Sequence, residues 1–471
     1  MSRRLFLFRF LLWLDRERVP WCLLRNFEEL PATIPDDLDI LIDPAGLAAV
    51  EHGLRRLGMG MRLLRKIERN GHTQFLLFSE EELDEALEAR RPLPILQLDF
   101  VTAIAWEGLA YVDLKTALSH RLRYRSLWIL GPDEHAAHLI GHALLDKGEI
   151  QPAYRQQIGA RLSVSAEPWD RLAAKAGPSA VGEVREHWKA GNERSMRESL
   201  IYGLSSSVSG RLTRVRYATE RRWRQFRALL RPPGKLVAAV GPDGSGKTTL
   251  LSFVAIALAQ GFDPVRTEYM GWREFLLPTK RILRWIQSHR PADIQTTTGQ
   301  VERSRSIDGE GGFQGRKVAG PVDEPPPPWT HNFSLLHYGA DLWARYGFRI
   351  RPSVARGGLV LCDRYFFDLL LHRVWISDAP LPSAILRRFS PMPDVLVFFD
   401  GDPELISARK NELTPAEVTR QLDRLQSLRQ RRQVLCLDVA RPVMENVREV
   451  VWRLSQPLAV PPGEIEEEPN R

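Results

Sequence analysis

Cysteine is scarce in this chain: 471 residues carry three, Cys22, Cys362 and Cys436, at spacings that match no thiolate metal set. Two of them stand inside apolar, strand-like runs. A disulfide framework is thereby excluded and a reducing compartment expected. Long hydrophobic runs are also lacking. The opening MSRRLFLFRFLLWLDRER imitates a secretory leader, but Arg9 interrupts it and no small-residue cleavage site follows. A first helix, buried or facing a partner, is expected there instead. No other run reaches the length of a membrane span, so a cytoplasmic protein is expected. Charge of one sign does not dominate either: 66 basic residues against 58 acidic leave a net charge of +8. With 44% hydrophobic and 26% charged residues the composition is ordinary globular material. The length calls for two or three domains.

The positive excess is concentrated in RLTRVRYATERRWRQFRALLRPPGK, residues 211–235, which hold nine Arg or Lys and one Glu. Leu212, Val215, Trp223, Phe226 and Leu230 recur there at near-helical spacing, which predicts an amphipathic basic helix ending at Pro232-Pro233-Gly234. Such a helix either packs one side on its neighbours and is solvated on the other, or meets an anionic membrane surface or polyanion and makes the protein peripheral to a membrane. A nucleic-acid partner is not expected, and a homodimer is allowed. The Pro-Pro-Gly break is the best domain boundary. Residues 295–328, polar and glycine-rich and then carrying four prolines, follow no apolar period and are expected to be a disordered insertion. The chain closes on an acidic tail, 458–471.

At the centre stands LVAAVGPDGSGKTTLL, residues 236–251. An apolar run ends in a loop that fits G-x-x-x-x-G-K-[ST] between a strand and a helix start. Gly241, Gly244 and Gly246 let the backbone bend so that N–H groups, with those of Asp243, Ser245 and Thr249, cradle phosphate. Lys247 reaches the terminal phosphates of ATP and Thr248 offers its hydroxyl to magnesium. The positive end of the following helix adds to the cradle. Downstream, VRTEYMG, LVLCD (359–363), PDVLVFFD and QVLCLDV are short apolar runs separated by helical pattern. They predict a parallel sheet covered on both faces, with ligands beyond the strands' carboxyl ends, where Gly246 and Asp363 both fall.

GPDGSGKTT, LCDRY and PDVLVFFDGDPELISARKNEL together resemble the thymidylate kinases of the nucleoside monophosphate kinase group, over about residues 235–457 less the insertion. By that resemblance Asp243 holds a hydroxyl of the acceptor, Asp363 serves the magnesium and acceptor region, and Arg364 grips the acceptor's anionic group. Arg409, Lys410, Arg420 and Arg424 are the resemblance's candidates for a lid that closes positive charge over the transferred phosphoryl. The plain alternative is a surface helix with partners such as Glu412 and Asp423. The sequence departs from the family where the acceptor is recognised: EYMGWREF stands in place of the acidic-proline-glycine loop, and FFDLLLHR follows DRY. A rewritten small-molecule acceptor is therefore expected, either another nucleotide, a phosphorylated sugar, or a hydroxylated lipid or glycan precursor. A nucleotide-switched binding protein is the competing expectation.

The front half carries LLRNFEELPATIPDDLDILIDP, in which Asp37 and Asp39 share one face of a strand. Asp99 stands in a second apolar strand. Three carboxylates from adjacent strands suit magnesium, and the pattern resembles the nucleotidyltransferase fold over about residues 15–115. The phosphate-binding Gly-Ser or Gly-Gly of that fold is missing at Leu24-Arg25-Asn26-Phe27. An active transferase (making the chain bifunctional), a binding or regulatory relic, an unrelated α/β fold and a solvated strand edge all remain open. His135, His138 and His142 share a helical face that is either metal-binding or a packing surface. The expected organisation is thus α/β. A smaller α+β nucleotidyltransferase-like domain (1–115), a helical domain (116–210) and the basic linker helix (211–234) precede the P-loop parallel sheet flanked by helices (235–457).

Overall fold

A computed structural model of the chain describes residues 1–271 except Pro31 and Asn70, then Leu276, 328–371, 380–410, 413–426, Arg429 and 433–458. The expected insertion, up to residue 327, and the acidic tail beyond Leu458 lie outside the described residues. The first helix, Arg3–Arg16, is capped by Ser2, whose side chain accepts from the Leu5 N–H. Phe6, Leu7, Phe10, Leu11 and Leu14 recur at three- and four-residue steps on it and are buried. The opening segment is therefore part of the front half's core. Among the described residues no helix is long and apolar enough to cross a membrane.

The front half is built on a mixed sheet. Its strands are β1 (Trp21–Leu23), β2 (Asp37–Ile42), β3 (Met61–Arg69), β4 (His72–Ser79) and β5 (Leu96–Val101). After the separate hairpin of β6 (Ile104–Trp106) and β7 (Leu109–Val112), the sheet gains β8 (Leu122–Tyr124) and β9 (Leu127–Ile129). The spatial order is β3-β4-β5-β2-β1-β9-β8, with β2 parallel to β5 and β1 parallel to β9. Helices from Pro132 to Ser205 then pack around a second core that includes Leu139, Ile140, Leu144, Trp169 and Leu200.

The latter half is a five-stranded, wholly parallel sheet flanked by helices, as the alternating pattern implied. Its strands β10 (Lys235–Val240), β11 (Val265–Tyr269), β12 (Leu359–Asp363), β13 (Val395–Asp400) and β14 (Val434–Asp438) lie in the order β11-β12-β10-β13-β14. Burial on both faces explains why Leu236–Val240 and Leu359–Cys362 are unbroken apolar runs. Ala239 is in register with Asp363, so the loop after β10 and the carboxylate ending β12 arrive at the same sheet edge.

The two halves share a core. Leu64, Leu76, Phe78, Leu83, Leu87 and Ile95 from the front half join one hydrophobic cluster with Val254, Leu258, Phe262, Val447 and Leu454. The last strand, β15 (Gln456–Pro457), pairs antiparallel with β3 and makes the front sheet eight-stranded. Arg62 of β3 closes this seam. It donates to the Ser455 hydroxyl at 2.8 Å and the Trp452 carbonyl at 3.1 Å, and pairs with Glu80 at 3.2 Å. Removing a buried guanidinium strands these acceptors, so Arg62→Ala is expected to cost about 1.5 to 3 kcal/mol. Chemical denaturation checks this: an unchanged midpoint would mean the seam carries no stability.

Candidate active site

The loop after β10 adopts the backbone that its glycines permit. Gly241, Gly244 and Gly246 have φ of 146°, 92° and 93°, a region closed to most side chains. A Cβ at Gly244 would stand 2.8 Å from the Ile406 carbonyl, whereas nothing lies within 4 Å of one at Gly246. The first glycine of this pair is demanded by packing as well, the second by conformation alone. The helix Lys247–Ala257 starts directly on the loop, with Leu250, Leu251 and Val254 buried. Its free N–H groups thereby point where a phosphate would sit.

Lys247 is 6% exposed, and its Nζ donates to the carbonyls of Gly241 at 2.9 Å and Pro242 at 2.8 Å. Burial lowers its pKa; Asp368 and Asp243 counter that. The Ser245 hydroxyl is buried without a hydrogen-bond partner, an orphaned donor beside the loop. Thr248 donates to Asp363 Oδ2 at 2.6 Å. Thr249 is exposed on the first helical turn. These residues fit a nucleotide and its magnesium: an open cradle, a buried ammonium, an unsatisfied hydroxyl, and a hydroxyl–carboxylate pair of hard oxygen donors.

Arg364 follows Asp363 with φ of 69°, unusual for a residue bearing a Cβ. Its N–H donates to Ala239 at 3.1 Å, which holds the kink against β10. Its Nη2 donates to both oxygens of Asp243, at 2.6 and 2.8 Å. The two residues assigned to the acceptor by resemblance therefore face each other across the sheet edge. Asp243 lies below the usual carboxylate range: burial pushes it up, but Lys247 and Arg364 pull it down further.

Asp368 was not singled out in the sequence. It is a lone acid in the apolar stretch FFDLLL, and only that oddity could have flagged it. One oxygen accepts from the Tyr365 N–H at 2.6 Å and the other is buried without a partner. Burial pushes its carboxyl up to about 6, against the opposing pull of Lys247 and Arg364. A raised native pKa means the folded state holds the proton more tightly than the unfolded chain, whose Asp titrates near ~3.9. The resulting stability is complete below about pH 4 and is lost as pH rises through about 6. Relative to Asp368→Asn, the wild type is expected to lose about 2 to 3 kcal/mol between those limits. Parallel denaturation series at several pH values measure this, and a flat difference would contradict it.

Arg409 is exposed and donates to the Val439 carbonyl at 3.1 Å, and Arg420 is exposed and folds back onto Ala416 of its own helix. Arg424 sits half-buried on that same helix. Lys410 approaches the loop: its Cβ is 3.3 Å from where a Gly244 Cβ would stand. Behind the acceptor side, Asp341 and Arg345 form a buried ion pair at 2.9 Å. Arg345 also donates to the Tyr269 and Gly271 carbonyls, and Asp341 accepts from the Leu276 N–H at 2.7 Å. This pair fixes the chain after β11, where the sequence departs from the resembled family.

In the front half Asp39 and Asp99 stand opposite one another in parallel strands, with Asp37 on the same face. The space between Asp37 and Asp39 is taken by a protein cation. Arg25 donates to Asp39 and, at 3.1 Å, to Asp37. Asp99 instead accepts from Gln97 at 3.1 Å and lies 3.6 Å from His72. Burial raises the Asp39 pKa, only partly offset by Arg25. Asn26 takes the turn position with φ of 60°. Among the described residues no cluster of three acidic, His or Cys side chains is arranged to hold a metal. The Arg25 guanidinium thus occupies the Asp37–Asp39 side of the expected magnesium site, and Asp99 is held by Gln97. The histidines pack: His138 is buried against Tyr111 at 3.2 Å and stacks on His142 with ring centroids 5.7 Å apart, His142 bridges Arg25 and Asp146, and His135 lies on Phe27. A cleft of about 1310 Å³, lined by Arg65, Arg69, Arg221, Arg224 and Arg356 among others, lies between the front sheet and the basic helix and does not include the phosphate loop.

No known family profile matches the chain. Curated relatives include the thymidylate kinase of Shouchella clausii, 24% identical over 177 residues that make up 36% of this chain and 65% of the relative. Probable thymidylate kinases of Thermococcus gammatolerans and Pyrococcus horikoshii are 26% and 27% identical over the same shares. The chain thus spans about 65% of the length of the curated relatives it matches. A solved thymidylate kinase structure from Candida albicans has 17% identity and a TM-score of 0.29, covering 46% of this chain and 89% of that one. What these comparisons support is a limited likeness to thymidylate kinases over about a third of the chain.

Proposed function

We propose that the chain is an ATP- and magnesium-dependent phosphotransferase whose acceptor is a small molecule bearing an anionic group beside the oxygen that receives the phosphoryl. The observation that carries this is the juxtaposition, on one sheet edge, of Lys247, the Thr248–Asp363 pair and the Asp243–Arg364 pair. The limited likeness to thymidylate kinases agrees with it. The acceptor oxygen bonds to the γ-phosphorus as the bond to the β,γ-bridging oxygen breaks and ADP departs. Lys247 and the loop N–H groups hold charge as it builds on the leaving phosphates. Magnesium, when bound at Thr248 and Asp363, supplies further positive charge to the phosphate oxygens. Arg364 exchanges Asp243 for the acceptor's anionic group, and Asp243 is then released to orient the acceptor's hydroxyl.

Nucleoside monophosphates, phosphosugars and hydroxylated lipid or glycan precursors that carry a phosphate or carboxylate meet this description. Incubating the full chain with γ-labelled ATP and a panel of these acceptors tests it. Label on an acceptor is expected; saturable ATP binding with only slow hydrolysis would indicate a nucleotide-switched binding protein. With an acceptor in hand, Arg364→Ala is expected to weaken acceptor use about tenfold or more while ATP affinity stays within about threefold, one charge-assisted contact being worth about 1.5 to 3 kcal/mol. Equal loss for both ligands would place Arg364 on ATP.

A further inference from the structure

The helix Val208–Leu230 takes no part in the phosphate site, and its outward face is unusual. Val208, Leu212, Val215, Thr219, Trp223, Phe226 and Leu230 follow one another at steps of four and three, which places them in one stripe along the helix. The apolar members of that stripe are 52 to 72% exposed. Trp223 and Phe226 stack on each other with ring centroids 5.7 Å apart, in the open. The stripe is bordered on both sides by exposed cations. On the same helical wheel Arg211 and Arg222 fall along one edge, and Arg216 and Arg227 along the other. Residues 208–231 hold eight Arg against the single Glu220.

The opposite face fixes the helix in place. Arg214 pairs with Glu107 at 3.2 Å and lies over Trp106, while Thr213 and Tyr217 pack beside Gly108. At the other end Arg351 donates to the Leu229 carbonyl at 2.7 Å and to the Leu230 carbonyl at 2.8 Å. Anchored at both ends, the helix presents its apolar stripe outward in a set orientation.

We infer that this stripe docks the protein on an anionic lipid surface, with the apolar side chains at the headgroup–acyl boundary and the arginines among the lipid phosphates. Charge complementarity selects this occupant. A second copy of the chain, stripe to stripe, would bring the flanking arginines of both copies together with one Glu on each to offset them. A nucleic acid would use the arginines but leave the apolar stripe in water. The inference stands apart from the phosphotransferase proposal, and its test needs no activity.

Flotation of the full chain with vesicles of phosphatidylcholine carrying about 30% phosphatidylglycerol, compared with phosphatidylcholine alone, tests it. Partitioning to the anionic vesicles is expected to be about tenfold stronger or more, and to weaken as salt is raised. The triple variant Trp223→Ala, Phe226→Ala, Leu230→Ala should lower that partitioning about tenfold or more. Arg216→Gln, Arg222→Gln, Arg227→Gln should lower it and flatten its salt dependence. These side chains are exposed, so thermal unfolding is expected to be unchanged and reports that the variants remain folded. No partitioning of the folded wild type, or partitioning that neither triple variant reduces, would overturn the inference. So would a wild-type dimer in sedimentation that the apolar triple variant converts to monomer.

Discussion

Lys247→Ala is expected to lower ATP turnover by on the order of 10³-fold or more while leaving the fold intact. Lys247 is a buried ammonium at the mouth of the loop, held by the Gly241 and Pro242 carbonyls and, among the described residues, by no carboxylate closer than Asp243 at 3.6 Å. Loop carbonyls are weak partners for an ammonium compared with a phosphate, so the side chain is poised to turn to ATP. Arg364 cannot stand in for it, since its guanidinium is engaged first by Asp243 and then by the acceptor's anionic group. Steady-state ATP turnover with a thermal melt on each protein checks this. Turnover within tenfold of wild type would remove Lys247 from the reaction.

Asp363→Asn is expected to lower turnover by on the order of 10²- to 10³-fold and to raise the magnesium concentration needed for half-maximal rate. The substitution keeps shape and an acceptor oxygen for the Thr248 hydroxyl, now 2.6 Å from Oδ2, and removes one negative charge. A loss confined to charge therefore points to the metal, not to the hydrogen bond. Magnesium titrations of rate for wild type and variant separate the two. A variant with full rate at the same magnesium requirement would mean that Asp363 serves only to orient Thr248.

Much of the site was legible because its residues are close in sequence. The apolar run, the spaced glycines and Lys247-Thr248 specify strand, loop and helix within sixteen positions, and the register of Ala239 with Asp363 follows once both strands end at one edge. The Asp243–Arg364 contact needed the resemblance, since nothing local joins residues so far apart. Asp368 escaped because a single acid among Phe and Leu gives no period, and its role depends on burial against Lys247 and Arg364. The shared core escaped for another reason. Pro232-Pro233-Gly234 marks a break in the chain, but a local break says nothing about long-range pairing such as β15 on β3 or Arg62 on Ser455. In the front half the alternation of the strand placed Asp37 and Asp39 on one sheet face, and nothing in the sequence signalled that Arg25 would stand between them.

One magnesium–ATP per chain is expected to sit on Gly241–Thr249. Isothermal titration of ATP into the full chain, with magnesium and with a chelator, measures it directly. The account predicts saturable binding at one site per chain, weakened by the chelator and lost in Lys247→Ala. Absence of saturable binding to the folded wild type, or equal binding by wild type and Lys247→Ala, would contradict it.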